Sequence, residues 1–312
     1  MSRTPEPRYI GGQAVIEGVM MRGERTYSVA VRTESGDIDV DVHEAPSWAQ
    51  RWSRVPLMRG VMTLAESLTL GFRALSWSAN RAMPEEERVS KRAMGVSMGI
   101  ALVFFTAVFI LLPAFAARGL DRLIPFDGFW LHVVEGTLRL AIFLAYLLLI
   151  ARIADIRRVF EYHGAEHKAI AAYENGAPLT PSDAQRFTTE HVRCGTNFLL
   201  TVMIVTIVVY SFVGRPAWPL LIASRIVLIP LIAGISYEVI RFAARHMQWA
   251  WVRVAMIPGL SLQRLTTRQP SLEQLEVAIA SVRAVLTAEQ LAEVETRRTL
   301  PAPALAAFRG AV

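Results

Sequence analysis

The period of the apolar pattern changes several times along the chain, and each change marks a different element. Y-S-V-A-V-R-T and D-I-D-V-D-V-H alternate with period two around E-S-G, which predicts a small β-hairpin with Gly36 in its turn. The following stretch, P-L-M-R-G-V-M-T-L-A-E-S-L-T-L-G-F-R-A-L, has a period near 3.6. It places Leu57, Val61, Leu64, Leu68, Phe72 and Leu75 on one stripe, with Arg59, Glu66 and Arg73 on the opposite face. An amphipathic helix with internal charges is expected to lie on a membrane surface or on other helices rather than to span.

Periodicity then gives way to four continuously apolar stretches, about Met94 to Ala117, His132 to Ala154, Thr196 to Val213 and Trp218 to Ser236. Each is close to the ~20 helical residues that cross ~30 Å of hydrocarbon. A G-R-P-A link joins the last two, predicting an antiparallel hairpin of helices. Beyond Gln263 polar residues return. Ser271 with Gln274 and Thr287 with Gln290 have capping-box spacing, so helices are expected from about Leu272 and Ala288. Leu275, Ile279 and Val282 make the first of them amphipathic, as a packing tail or, alternatively, as a helix that docks in a partner's groove.

Composition agrees with a membrane protein. Of 312 residues 53% are apolar, and the mean hydropathy is +0.35. The net charge of +6 is carried by residues scattered beside the apolar stretches, which points to membrane topology rather than to nucleic acid. R-V-S-K-R precedes the first stretch; Arg152, Arg157, Arg158, Lys168, Arg186 and Arg193 separate the second from the third. Arg241, Arg245, Arg253, Arg264 and Arg268 follow the fourth, whereas the opposite side holds only Arg118, Arg122 and Arg215. By the positive-inside rule both termini and the middle loop face the cytoplasm from the inner membrane. The N-terminus lacks the apolar run of a signal peptide, and no internal repeat or lipidation motif is present. The last residues, T-L-P-A-P-A-L-A-A-F-R-G-A-V, read as a flexible end. The fold class expected is thus a mainly α membrane protein with four transmembrane helices. Residues 1–46 would form a Gly-rich and β-hairpin region, and 47–93 an interfacial helix region. The membrane domain would cover 94–236, with a cytoplasmic loop at 155–195, and a cytoplasmic helical tail would follow at 237–312.

That loop holds the chemistry. In Y-H-G-A-E-H-K, His163 and His167 are one helical turn apart, so both imidazoles reach one ion at the usual Zn–N distance of ~2.0–2.1 Å. Glu166 flanks them and is placed to take a proton from water, the H-x-x-E-H order of inverted zinc proteases. The plainer reading is a histidine pair facing water or pairing with Glu161 and Glu166. A metal site needs a third ligand, and Glu238 and His191 are the leading candidates, with Cys194 a rival. Glu174 lies seven residues past His167, ~10 Å along a straight helix, and cannot join the same ion. Glu238 is expected nearer the membrane than His163, a gap that a bend at Gly164 would close. The single cysteine excludes an internal disulfide and reads as a ligand, a redox thiol or a buried small residue.

Five motifs in order carry a resemblance: G-G-Q-A-V-I-E-G-V-M-M-R-G, Y-H-G-A-E-H-K-A-I-A-A-Y-E, R-C-G-T-N-F-L, G-I-S-Y-E and P-G-L-S-L-Q-R-L-T-T-R. Together, from about Ile10 to Val282, they resemble the bacterial YqhQ family of predicted metal-dependent membrane enzymes of unknown function. The resemblance implies family-typical roles for Glu17, His163, Glu166, His167, Glu174, His191, Arg193, Cys194 and Glu238. Val192 and Glu24 stand where the family tends to have proline, which affects loop rigidity and removes no ligand.

Other residues ask for a role. The glycines of the first motif lack phosphate-loop spacing and are expected to let segments pass closely, and burial of Glu17 beside the histidine helix is one alternative for its role. Arg225 lies inside the fourth stretch, where a charge costs ~2.5–3.5 kcal/mol and needs a partner. Glu135 is at comparable depth, so an Arg225–Glu135 clamp is expected, with Glu135–Arg139 the competing pair. The function expected is a membrane hydrolase using a divalent metal, zinc by preference, on membrane-proximal peptide or lipid-linked substrates. The alternative is a non-catalytic scaffold or assembly factor with a structural metal or a docking surface. A transporter ranks third, and the expected partners are the bilayer and an unidentified substrate or protein.

Overall fold

The computed structural model describes residues 10–84, 90–214 and 217–297. The expected flexible C-terminal end lies outside the described residues. The protein is mainly helical, with one antiparallel sheet near its N-terminus.

The sheet is a meander of β1 (Gly11–Val15), β2 (Gly18–Arg22), β3 (Thr26–Arg32) and β4 (Ile38–Glu44) in that spatial order. The β3–β4 pair is the hairpin expected from the alternation, with Gly36 at φ +91° in its turn. The glycine-rich motif forms a second hairpin, β1–β2, which the sequence reading left without strands. Glycine is a poor strand former, and here pairing and packing override that preference. Side chains alternate between two faces. Val19, Met21 and Ala30 meet α6 (Ala154–Glu174) and α12 (Leu272–Val285) in one core; Val15, Met20, Val29 and Val31 meet Leu70 and Ala74 of α2 (Met58–Arg81) in another.

Helix α2 packs on the rest of the protein through the face opposite its apolar stripe. Its small residues and Glu66 face inward: Gly60 lies on Tyr237, Gly71 on Gln13, and buried Glu66 is paired with Arg22 and accepts from the Ala49 amide at 3.0 Å. The apolar stripe, including Leu68, Phe72 and Leu75, is left exposed, which is compatible with lipid contact. Close packing selects faces by size as well as polarity, and glycine allows the approach. A short helix, α1 (Trp48–Arg51), precedes it.

Three helical segments are long and apolar enough to cross a membrane: 92–123, 128–150 and 219–245. The first comprises α3 (Lys91–Phe105), a π segment over Thr106–Leu111, and α4 (Leu112–Leu123). Within that π segment the Phe109 carbonyl accepts from Arg139 Nε of α5 (Gly128–Ile150) at 3.0 Å. The third comprises α9 (Trp218–Val227) and α10 (Ile229–Arg245), interrupted at Leu228 ahead of Pro230. The remaining apolar helix, α8 (Gly195–Ser211), has 17 residues. At 1.5 Å per residue it is about 26 Å long, short of a ~30 Å core.

Helix α6 does not continue α5. Ile153, extended at φ −74° and ψ 130°, separates the two and frees α6 to pack across β1 and β2. After the four-residue helix α7 (Pro181–Ala184), the chain returns through 185–194 into α8, and α11 (Ala250–Thr266) packs across α8. α12 and α13 (Ala288–Glu295) begin where expected, each with its capping box formed. α12 is core: Leu275 and Val282 are fully buried, and Ile279 nearly so.

Candidate metal centre

The two histidines project from the middle of α6 with ring centroids 4.5 Å apart. His163 Nδ1 is 2.8 Å from the Thr266 carbonyl at the end of α11, and His167 Nδ1 meets the Thr189 carbonyl in the loop before α8. A carbonyl only accepts, so each Nδ1 carries the hydrogen and each Nε2 keeps its lone pair. Metal-binding histidines are oriented in this way, the second nitrogen donating to a carbonyl.

The loop delivers Cys194 to the same place. Its sulfur is 3.3 Å from His163 Nε2, and one ligand atom each from His163, His167 and Cys194 lie within 4.8 Å of one another. Cys194 is the N-cap of α8; its sulfur accepts from the Thr196 amide at 3.5 Å, at the positive end of the helix dipole. His167 and Cys194 are buried and His163 is half-buried. Two imidazoles and a thiolate are a ligand set that fits zinc and leaves a fourth position open.

Glu166 stands outside this trio. It is buried beneath β1, where a Cβ on Gly12 would lie 2.8 Å from its Oε1. Burial pushes its carboxyl above the usual carboxylate range, against the pull of His163 and His191. Burial likewise lowers the His167 imidazole, opposed by its contact with Cys194. The neutral imidazole is the ligand form, and a raised carboxyl suits proton transfer near neutral pH.

A second ring of contacts fixes the pieces. Fully buried Gln263 of α11 brackets His191, accepting from its amide at 2.8 Å and donating to its carbonyl at 2.9 Å. Buried Lys168 donates to the Gln185 and Phe187 carbonyls at 2.7 and 2.6 Å, holding the loop against α6. Gly164 does not bend α6; it admits the Arg268 carbonyl, with which any Cβ would collide.

The other expected residues are placed as follows. His191 is near the trio, its ring 5.6 Å from that of His167, but its Nε2 faces Glu174 at 3.7 Å. Glu174 also pairs with Arg193. Burial opposes ionisation of Glu174, yet His191 and Arg193 hold its carboxyl below the usual range. Glu238 is not brought to the histidines. Arg59 takes its carboxylate, with Nε 2.6 Å from Oε1, and the Leu57 amide donates at 3.3 Å, so it ties α10 to α2. Glu17 sits in the β1–β2 turn at φ +53° and lies beside α6, paired with Arg158 and accepting from Tyr162 at 3.3 Å. The Arg225–Glu135 pair is formed at 2.5 Å and the competing Arg139–Glu135 pair at 2.6 Å, both at once.

The sequence reading passed over Gln263, Lys168 and the carbonyls of Thr189 and Thr266. Gln263 and Thr266 stand in the P-G-L-S-L-Q-R-L-T-T-R motif, and a glutamine among leucines was the available signal.

Comparison with known proteins agrees with the motifs. A family described as "Protein of unknown function (DUF1385)" matches residues 55–288. "Uncharacterized protein YqhQ" of Bacillus subtilis (strain 168) is 35% identical over 311 residues, covering 94% of this chain and 97% of that protein. No solved structure matches. With its motifs, its length and three quarters of its residues accounted for in this way, the chain belongs to the DUF1385 family, to which YqhQ is similar along nearly its whole length.

Proposed function

We propose that the protein is a metal-dependent hydrolase of the cytoplasmic membrane, acting on a peptide or lipid-linked substrate close to the bilayer. In this reading α8 completes four crossings, both termini are cytoplasmic, and the site lies under the inner leaflet, as the distribution of Arg and Lys favours. His163, His167 and Cys194 hold the ion. A divalent ion such as zinc, if bound there, would supply Lewis acidity. Glu166 accepts a proton from the attacking water and delivers it to the leaving group. Gln263 and the carbonyls of Thr189 and Thr266 keep the ligands aimed. The observation that carries the reading is the pair of Nδ1–H donations to carbonyls, which keeps the lone pair of each ring on Nε2, the nitrogen that in His163 faces the Cys194 sulfur at 3.3 Å.

Metal analysis of purified protein tests it. About one tightly held ion per chain is expected, lost in His163→Ala and His167→Ala, with a thiolate-to-cobalt absorption band lost in Cys194→Ser. Glu166→Gln should keep the ion and abolish function in cells. Retention of that function would favour a structural clip in a scaffold, and absence of any ion in the wild type would remove the hydrolase reading.

A further inference from the structure

The two edges of the sheet are treated very differently. β4 carries Asp39, Asp41 and Glu44, and Arg81 of α2 is paired with Asp39, so charge guards that edge against strand addition. β1 reads G-G-Q-A-V and carries no charge. Gly11, Gly12 and Gln13 are exposed, and for a glycine exposure means exposed backbone. In an antiparallel pair alternate residues of an edge strand direct amide and carbonyl outward. Among the described residues, none of those outward groups on Gly11–Val15 has a hydrogen-bond partner.

This open edge runs beside the candidate site. Gly12 lies directly over Glu166, and a side chain there would displace the carboxyl. Gly11 has open space where a Cβ would project. A chain added to β1 would therefore pass the proton-transferring carboxylate with no side chain of β1 between them. A free edge selects for an extended backbone of complementary amides and carbonyls, which a lipid-linked sugar or headgroup lacks. We infer that the free edge of β1 receives an extended peptide segment as a fifth strand, so that the substrate class of the site is unstructured peptide. The inference rests on the hydrolase reading for its chemistry, but the binding step is independent of it.

The test is binding to the full-length Glu166→Gln protein in nanodiscs, stripped of metal, which separates this step from catalysis. The probe is a fluorescein-labelled, strand-length peptide of alternating valine and threonine, compared with the same peptide N-methylated at alternate residues. Fluorescence anisotropy should show saturable binding, weakened at least about tenfold by N-methylation of the register that faces β1, a loss of about 1.4 kcal/mol or more. Gly11→Lys, placed where space is open, should weaken the parent peptide similarly while leaving thermal unfolding unchanged. Equal binding of both peptides, or no binding, overturns the inference. So does a dimer that Gly11→Lys dissociates, since a second copy would then own the edge. Loss of the hydrolase reading would show instead in the metal content of the wild type.

Discussion

The Glu135 cluster and the His163–His167–Cys194 cluster are both buried polar groupings, and they are built on opposite principles. In the membrane-type helices, Glu135 lies between Arg139 and Arg225, while Nε and Nη1 of Arg225 are buried without a hydrogen-bond partner among the described residues. Arg139 donates to the Phe109 carbonyl, and Arg225 lies over the Tyr210 ring at 3.6 Å. The shared Glu135 carboxylate ties α5 to α9, and the cluster reads as a clamp. On α6, by contrast, His163, His167 and Cys194 present lone pairs and sulfur to one another while carbonyls from two other segments set their orientation. That cluster is the one proposed to take a cation. Opposite charges hold helices together, whereas a convergent set of neutral donor atoms has the composition of a cation site.

The contrast can be broken at either end. The largest effect is expected from Glu135→Ala, which leaves two buried guanidinium groups uncompensated. Removing one partner of such a network costs about 3–5 kcal/mol. Denaturant titration in detergent should register that loss with metal content unchanged, and a small effect would mean the clamp is already hydrated. Next, a chelator should lower the unfolding free energy of the wild type but not of His163→Ala/His167→Ala. With free ion at a hundred times its dissociation constant the difference is about 2.7 kcal/mol, readable as a shift in thermal midpoint. Equal shifts in both proteins would deny the α6 cluster its ion.

A finer probe is Gly164→Ala. The new methyl pushes the Arg268 carbonyl away and with it Thr266, which orients His163. Metal affinity should fall about 10–100-fold, the usual cost of disturbing the partners of a ligand, as measured by competition with a chromophoric chelator. The smallest effect is assigned to Ser271→Ala, which removes the capping box of α12. About 1 kcal/mol of stability should be lost with affinity for the ion intact, marking the limit of what packing alone contributes to the site.

How much of this was legible beforehand depended on range. The Ser271 and Thr287 caps, the Gly36 hairpin and the i, i+4 histidine pair are local patterns, and each formed as read. The Arg225–Glu135 pair was also legible, because a charge inside an apolar stretch has few partners to choose from. The inward face of α2 was not, since Gly60 and Gly71 pack by their smallness, which a hydrophobic pattern does not register. Nor was the break at Ile153, where the apolar stretch runs on without a glycine or proline to mark it.

The sequence by itself therefore determined the elements, the two histidines on one helix face with Glu166 beside them, and membership of a family whose motifs line the site. Only the tertiary structure decided that Cys194 comes to the pair while Glu238 goes to Arg59, and that β1 covers Glu166. The physical reason is distance along the chain. Periodicity and capping are fixed by neighbours within a turn or two. The choice among Cys194, His191 and Glu238 depends on where separate helices come to rest, and on which competing cation reaches each carboxylate first.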